Sequence, residues 1–223
     1  MPDTGLLRAL AERPDASTER KALQRYDWLQ AALDIFVAEG IDAVRITRLA
    51  DDLGMTRGSF YWHFKNRQDM IDALVNFWKC KNTPALIAAV ERARTLEEGI
   101  LGFFEICVDA THFDPRLDLA IREWARRSEK IRHLLDQEDQ VRIDALQQYF
   151  LRFDYPMPEA LIRARVLYFS QIGFYALDVP EPLRTRLEYT EAYYQCFTGQ
   201  ALVAATADQF RHDIIHRYGD QIP

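Results

Sequence analysis

From Thr56 to Ile71 the sequence reads TRGSFYWHFKNRQDMI. Tyr61, Trp62 and Phe64 stand beside Arg57, His63, Lys65 and Arg67. This mixture suits a polyanion. Tyr61, His63, Lys65 and Arg67 can donate to phosphate oxygens, which fixes a protein on a duplex without reading its sequence. Arg57 can pair with guanine O6 and N7 through two parallel hydrogen bonds, worth ~1–3 kcal/mol of base discrimination. Gly58 and Ser59 are small, so a helix carrying them can come close to base edges. Thr56 can cap that helix, and its first backbone amides can also face phosphate.

The elements that must position these groups are helices. Leu29, Ala32/Leu33 and Phe36/Val37 recur at three- and four-residue spacing until Gly40 ends the pattern. Ile46, Leu49, Ala50 and Leu53 form a second, short set closed by Gly54. The tight connection LGMT leads to a third helix with Ser59, Phe60 and His63. Three short-linked helices from about 25 to 64 make a helix-turn-helix, whose last element enters the major groove while the middle one crosses the backbone. Leu49, Ala50, Leu53, Met55, Phe60 and Phe64 are its expected core. Several positions have two readings. Trp62 either packs on the first helix or touches DNA, and His63 either braces the helix junction or touches DNA. Arg20, Lys21 and Arg25 are either an arm for an adjacent minor groove or a solvated lead-in. Asp51 and Asp52 read as a solvated face.

Further helices follow at capping signals: Asn66 with Asp69, Thr95-x-x-Glu98 and Asp114-Pro115. A long helix is expected from Leu134 to near Phe153, another from Pro158-Glu159, another from Pro182 through LRTRLEYTEAYYQCF, and a last one over about 201–217. No segment alternates like a strand. The fold class is therefore all-α, with an N-terminal three-helix helix-turn-helix domain over 25–67 and a larger helical domain over 68–223. Residues 1–24 are polar, broken by Pro14, and read as a flexible extension.

Composition bounds the function. The 223 residues carry a net charge of −6, which argues against a polyanion binder over the whole surface. Residues 20–67 nevertheless hold eight Lys/Arg against six Asp/Glu, while 68–223 hold 18 against 24, so contact through one end is compatible with the charge. Apolar runs fall short of a membrane span, and the N-terminus lacks the pattern of a secretory leader. Cys80, Cys107 and Cys196 are scattered, without a CxxC or Cys/His cluster, so neither a zinc site nor a disulfide framework is expected. A reducing cytoplasm is the expected compartment, and no cofactor is expected. GxSxG, HExxH, P-loop and GxGxxG motifs are all absent, so an enzyme is not expected. His112, Asp114 and His133 match no strong metal-ligand spacing.

The segment RLADDLGMTRGSFYWHFKNRQDMIDAL resembles the DNA-binding segment of the TetR family of bacterial transcriptional regulators. Gly54, Thr56, Gly58, Tyr61, His63, Phe64 and Asn66 all fit its pattern, and the likeness runs from Tyr26 to Met70. The resemblance implies a homodimer on a palindromic double-stranded operator, acting as a repressor that a small ligand releases. By position, Thr47, Arg57, Gly58 and Ser59 would lie near bases, while Tyr61, Trp62, His63 and Arg67 would contact the backbone. Two departures stand out. Arg45 replaces a usual capping Thr and adds a cation near phosphate. Arg67 replaces the usual Lys.

Beyond residue 68 the likeness is looser. DPRLDLAIREWARRSEKIRHLL and RARVLYFSQIGFYAL are similar to the C-terminal domain of one broad subgroup, which implies ligand binding and dimerisation there. Candidate ligand contacts, for a small apolar or aromatic effector, are Trp78, Phe103, Phe104, Cys107, Trp124, Tyr149 and Phe150, although plain core packing is the favoured reading of any one of them. Ala164, Leu167, Gly173, Phe174 and Tyr193 are the expected dimer seam.

Overall fold

The computed structural model describes residues 16–219, with side chains from Arg25 onward. Among them every regular element is a helix. In chain order these are α1 (Ala16–Glu39), a 3₁₀ turn (Ile41–Ala43), α2 (Ile46–Asp52), α3 (Arg57–Phe60), α4 (Arg67–Glu91), α5 (Leu96–Val108), α6 (Pro115–Ala125), α7 (Glu129–Arg152), α8 (Met157–Ala176), α9 (Leu183–Glu188), α10 (Thr190–Thr198) and α11 (Ala204–Tyr218). No described helix is long and apolar enough to cross a membrane.

The capping signals do what their chemistry requires. Thr56 Oγ1 accepts from the Ser59 amide at 3.2 Å. Asn66 Oδ1 accepts from the Asp69 amide, and Asp69 reaches back to the Lys65 amide, both at 2.9 Å. At the start of α5, Thr95 Oγ1 accepts from the Glu98 amide and the Glu98 carboxylate accepts from the Arg94 amide, and Asp114 caps α6 through the Leu117 amide. Each bond satisfies a first-turn amide that has no partner within its own helix. The end of α2 is closed by Gly54 at φ 63°, with Met55 N donating to Ala50 O and Gly54 N to Asp51 O. That left-handed closure turns the chain into α3.

Three boundaries differ from expectation. α1 starts at Ala16, so residues 16–24 of the expected extension are helical, while 1–15 lie outside the described residues. The helix expected from Pro182 onward breaks at Tyr189 (φ −95°, ψ 9°) into α9 and α10. Compactness also divides the chain elsewhere than at residue 67: one unit comprises residues up to Thr83 plus Asp114–Asp136, the other Pro84–Phe113 plus the chain from Gln137.

The core of the first unit gathers Trp28, Leu29 and Phe36 of α1, Leu49 and Ala50 of α2, Phe60 and Phe64, the α4 residues Met70, Leu74, Phe77 and Trp78, and Leu117 and Ile121 of α6. Buried polar pairs fix α6 against α4. Trp78 Nε1 donates to Asp118 Oδ1 at 2.8 Å, and Arg122 Nε reaches Asp118 Oδ2 at 2.8 Å. Asn82 and Asp114 exchange side-chain and backbone bonds at 3.0 and 3.1 Å. The second unit packs Phe103, Tyr149, Phe150, Leu167, Tyr168, Tyr194 and Phe197. Here Gly99 is required by close approach, since an added Cβ would lie 2.1 Å from the Tyr149 ring. The Tyr149 hydroxyl donates to the Leu96 carbonyl.

Candidate nucleic-acid interface

α3 has only four residues, so it depends on its surroundings for rigidity. Phe60 is its buried anchor: it meets Trp28 of α1 edge-on with centroids 5.4 Å apart, and stacks on Phe64 at 5.3 Å. Phe60 therefore fills the place against the first helix that one reading gave to Trp62. Trp62 itself is 78% exposed and Tyr61 is 59% exposed. Two large aromatics standing in solvent on one short turn are costly to leave uncovered and are suited to a partner surface.

One expected phosphate donor, Arg67, and one residue of the expected arm or lead-in, Arg25, are committed inside the protein. Arg67 gives Nε to the Val44 carbonyl and Nη2 to the Ile41 carbonyl, both at 2.6 Å. These carbonyls close the 3₁₀ turn between α1 and α2, so Arg67 locks that turn onto the start of α4. Arg25, read as part of an arm or a lead-in, donates to the His63 carbonyl at 2.8 Å and lies 4.6 Å over the Phe64 ring. The side chains of Arg20 and Lys21 lie outside the described ones. His63 is half-buried. It faces Asp27, whose carboxyl is pushed above its ordinary value by burial, against the attraction of His63.

The remaining candidates lie open. Arg45, Thr47, Arg57, Gly58 and Lys65 are exposed. Arg45 precedes α2 without capping it and turns its Nε to the Asp42 carbonyl at 3.2 Å. Thr56 is exposed too, but its hydroxyl is the cap, and Ser59 Oγ donates to the Thr56 carbonyl at 2.8 Å. A Cβ added at Gly58 would meet only Thr56 Oγ1 at 3.6 Å, an ordinary contact. The fold itself does not demand glycine there. What glycine supplies is a bare patch on the exposed side of α3. Asp52 is drawn toward Arg48, which also holds Glu39.

The candidate interface thus consists of a bare helix turn, exposed cations at Arg45, Arg57 and Lys65, and two exposed aromatics, with Phe60, Arg25 and Arg67 bonded or packed beneath. With this geometry in view, the profile described as "Bacterial regulatory proteins, tetR family" matches residues 29–74. Over these residues the chain is similar to the DNA-binding segment of the tetR family. Like the HTH-type transcriptional regulator TtgW of Pseudomonas putida, it carries this segment: the two are 33% identical over 63 residues, which is 28% of this chain and 46% of TtgW. The class A tetracycline repressor protein from transposon 1721 of Escherichia coli is 35% identical over 60 residues, 27% of this chain and 28% of that one. The chain therefore aligns with less than half the length of either relative. In fold the likeness extends further. SCO4454, a TetR-family transcriptional regulator from Streptomyces coelicolor, superposes with a TM-score of 0.59 at 19% identity, covering 92% of this chain and 98% of that one. The tetR family is one of regulatory proteins rather than catalysts.

The candidates outside the tetR-type segment scatter. Trp78 and Trp124 belong to the core of the first unit, Trp124 against Phe36 at 5.8 Å. Phe103, Cys107, Tyr149 and Phe150 are buried in the second. Only Phe104 of the seven lines the cavity of about 140 Å³ within that unit, together with Phe174 and Tyr193 of the expected seam. Ala164 and Leu167 of that seam are wholly buried against their own unit, so they have no surface to offer a partner. The face α8 does expose is in a different phase: Ile162, Val166, Phe169 and the open Gly173, joined by Tyr189 and Tyr193. Gly173 and Tyr193 of this stripe belong to the expected seam, whereas sequence reasoning missed Ile162 and Val166 because α8 is apolar on two faces.

Proposed function

We propose that this chain is a sequence-specific DNA-binding transcriptional regulator: a homodimer on a palindromic operator, acting as a repressor released by a small effector. One observation carries the reading. The most exposed aromatic, Trp62, and the open cations Arg57 and Lys65 stand on or beside the bare turn of α3, while the buried chemistry around it serves to hold that turn still. Arg57 reads bases across Gly58. Arg45, Thr47 and Lys65 flank it, and Tyr61 and Trp62 pack along the backbone. This assigns Arg67 to bracing rather than to phosphate.

The exposed stripe of Ile162 (55%), Val166 (45%) and Phe169 (54%) supports pairing through α8, since solvated apolar rows of this kind mark partner surfaces. Pairing two copies gives two α3 elements, and half-sites then repeat after one duplex turn of roughly 34–36 Å or somewhat more. An effector that favours a body conformation with wrongly spaced heads weakens DNA binding, and by linkage DNA weakens effector binding equally.

The test is selection from random duplexes with the purified full chain. The reading expects an enriched palindrome, and affinity for it that falls steeply with salt, since neutralised phosphates release counterions. Recovery of no motif, or of an unrepeated one, contradicts it.

A further inference from the structure

The cavity of about 140 Å³ in the second unit lies among α5, α8, α9, α10 and α11. Its walls are apolar, with Phe104, Phe174, Leu183, Phe197 and Phe210 among them. Two polar side chains interrupt them. Gln171 of α8 is more than nine-tenths buried, and its Nε2 has no well-formed hydrogen bond, only a weak one to the Tyr175 phenol oxygen. Arg186 of α9 is half-buried and spreads its guanidinium over the Phe174 ring at 4.2 Å. No Asp or Glu lines the cavity. The neighbouring acids do not answer the Arg186 charge either. Burial pushes the Cys107 thiol up to about 12 and the Tyr175 phenol well above its usual range, so both are neutral near pH 7. The Tyr175 proton goes to the Cys107 carbonyl at 2.7 Å.

A buried N–H with only a weak acceptor, and a half-buried cation with no anion beside it among the described residues, each cost free energy that the right ligand recovers. Both face one apolar space, and a single carboxylate would satisfy both, as acceptor for the amide N–H and as counter-charge for the guanidinium. Ser170 and Tyr193 are exposed at the edge of the cavity and leave it accessible.

We propose that this cavity binds a small organic acid, with its carboxylate held by Arg186 and Gln171 and its hydrocarbon body among the phenylalanines. An apolar cavity of roughly 150 Å³ accepts benzene, so the body is a single aromatic ring or a short branched chain. The inference rests on the second unit being the sensing part of a regulator, and it names the chemical class of the effector.

The experiment uses the full chain without DNA, so its outcome is independent of whether an operator is ever found. Calorimetric titration compares benzoate, phenylacetate and 3-methylbutanoate with their neutral amides. The expected result is saturable binding of at least one acid, with its amide at least ~10-fold weaker, as loss of a charge-assisted pair requires. Arg186→Gln weakens the acid by about the same factor and leaves the amide unchanged, and Gln171→Leu weakens the acid in an otherwise intact cavity. Arg186→Lys, which keeps the charge, restores part of the affinity and covers the case of a misfolded Gln variant. Equal binding of acid and amide overturns the proposal. So does acid binding that survives both substitutions. So does absence of binding by every acid up to about 10 mM, near the weak limit of specific recognition, as when a side chain of a second copy fills the space.

Discussion

Arg67→Met separates bracing from DNA contact. In the wild type, Arg67 gives two N–H groups to the Val44 and Ile41 carbonyls at 2.6 Å each, and both residues are buried. Methionine keeps the aliphatic stem and removes the donors. Hydrogen bonds from a charged donor contribute ~1.5–3 kcal/mol each. Arg67 is itself only half-buried, and water can replace part of what is lost, so the expected destabilisation is about 2–4 kcal/mol in total. For a chain of this size that lowers the melting midpoint by roughly 5–15 °C. The assay pairs thermal melting with the salt dependence of DNA affinity. Each phosphate contact contributes about 0.9 to the slope of log K against log salt. A brace predicts a lower midpoint and an unchanged slope for the folded variant. An unchanged midpoint with a slope smaller by about one unit refutes the assignment and returns Arg67 to the phosphate.

Trp62→Ala is expected to leave stability within about 0.5 kcal/mol, as exposed substitutions do, while weakening duplex binding roughly 10-fold, in line with loss of an anchoring aromatic; melting and fluorescence anisotropy read the two effects. The thiols differ in accessibility: Cys80 and Cys196 are exposed, Cys107 is buried, and its thiol is pushed up to about 12. At pH 8, two thiols per chain should therefore react promptly with a maleimide, and the third only on unfolding; mass spectrometry of the timed reaction counts them. Phe169→Asp places a charge in the exposed row of α8 and should convert dimer to monomer at micromolar concentration with little loss of helix, as sedimentation and circular dichroism would show.

Much of this architecture is written locally. Thr56, Asn66 with Asp69, Thr95 with Glu98, and Asp114 act within three or four residues of themselves, so their roles could be read from spacing alone. The turn at Gly54 is equally local. What sequence could not supply is the use of side chains across long separations. Arg67 is chemically as fit for a carbonyl 26 positions away as for a phosphate. Trp78 looks like a pocket aromatic until Asp118, 40 positions on, takes its N–H. The apolar residues of α8 repeat at helical spacing on two faces, so periodicity could not distinguish Ala164 and Leu167, which face the core, from Ile162, Val166 and Phe169, which face solvent. The break at Tyr189 carries no glycine or proline to announce it.

The most direct test of the central claim is the affinity of wild type and Arg57→Ala for a selected palindrome and for a scrambled duplex of equal length and salt. If the exposed turn of α3 reads bases, the wild type prefers the palindrome, and Arg57→Ala lowers that affinity by roughly 10- to 100-fold while the scrambled duplex loses far less. Equal losses on both duplexes, or a wild type that does not distinguish them, would contradict it.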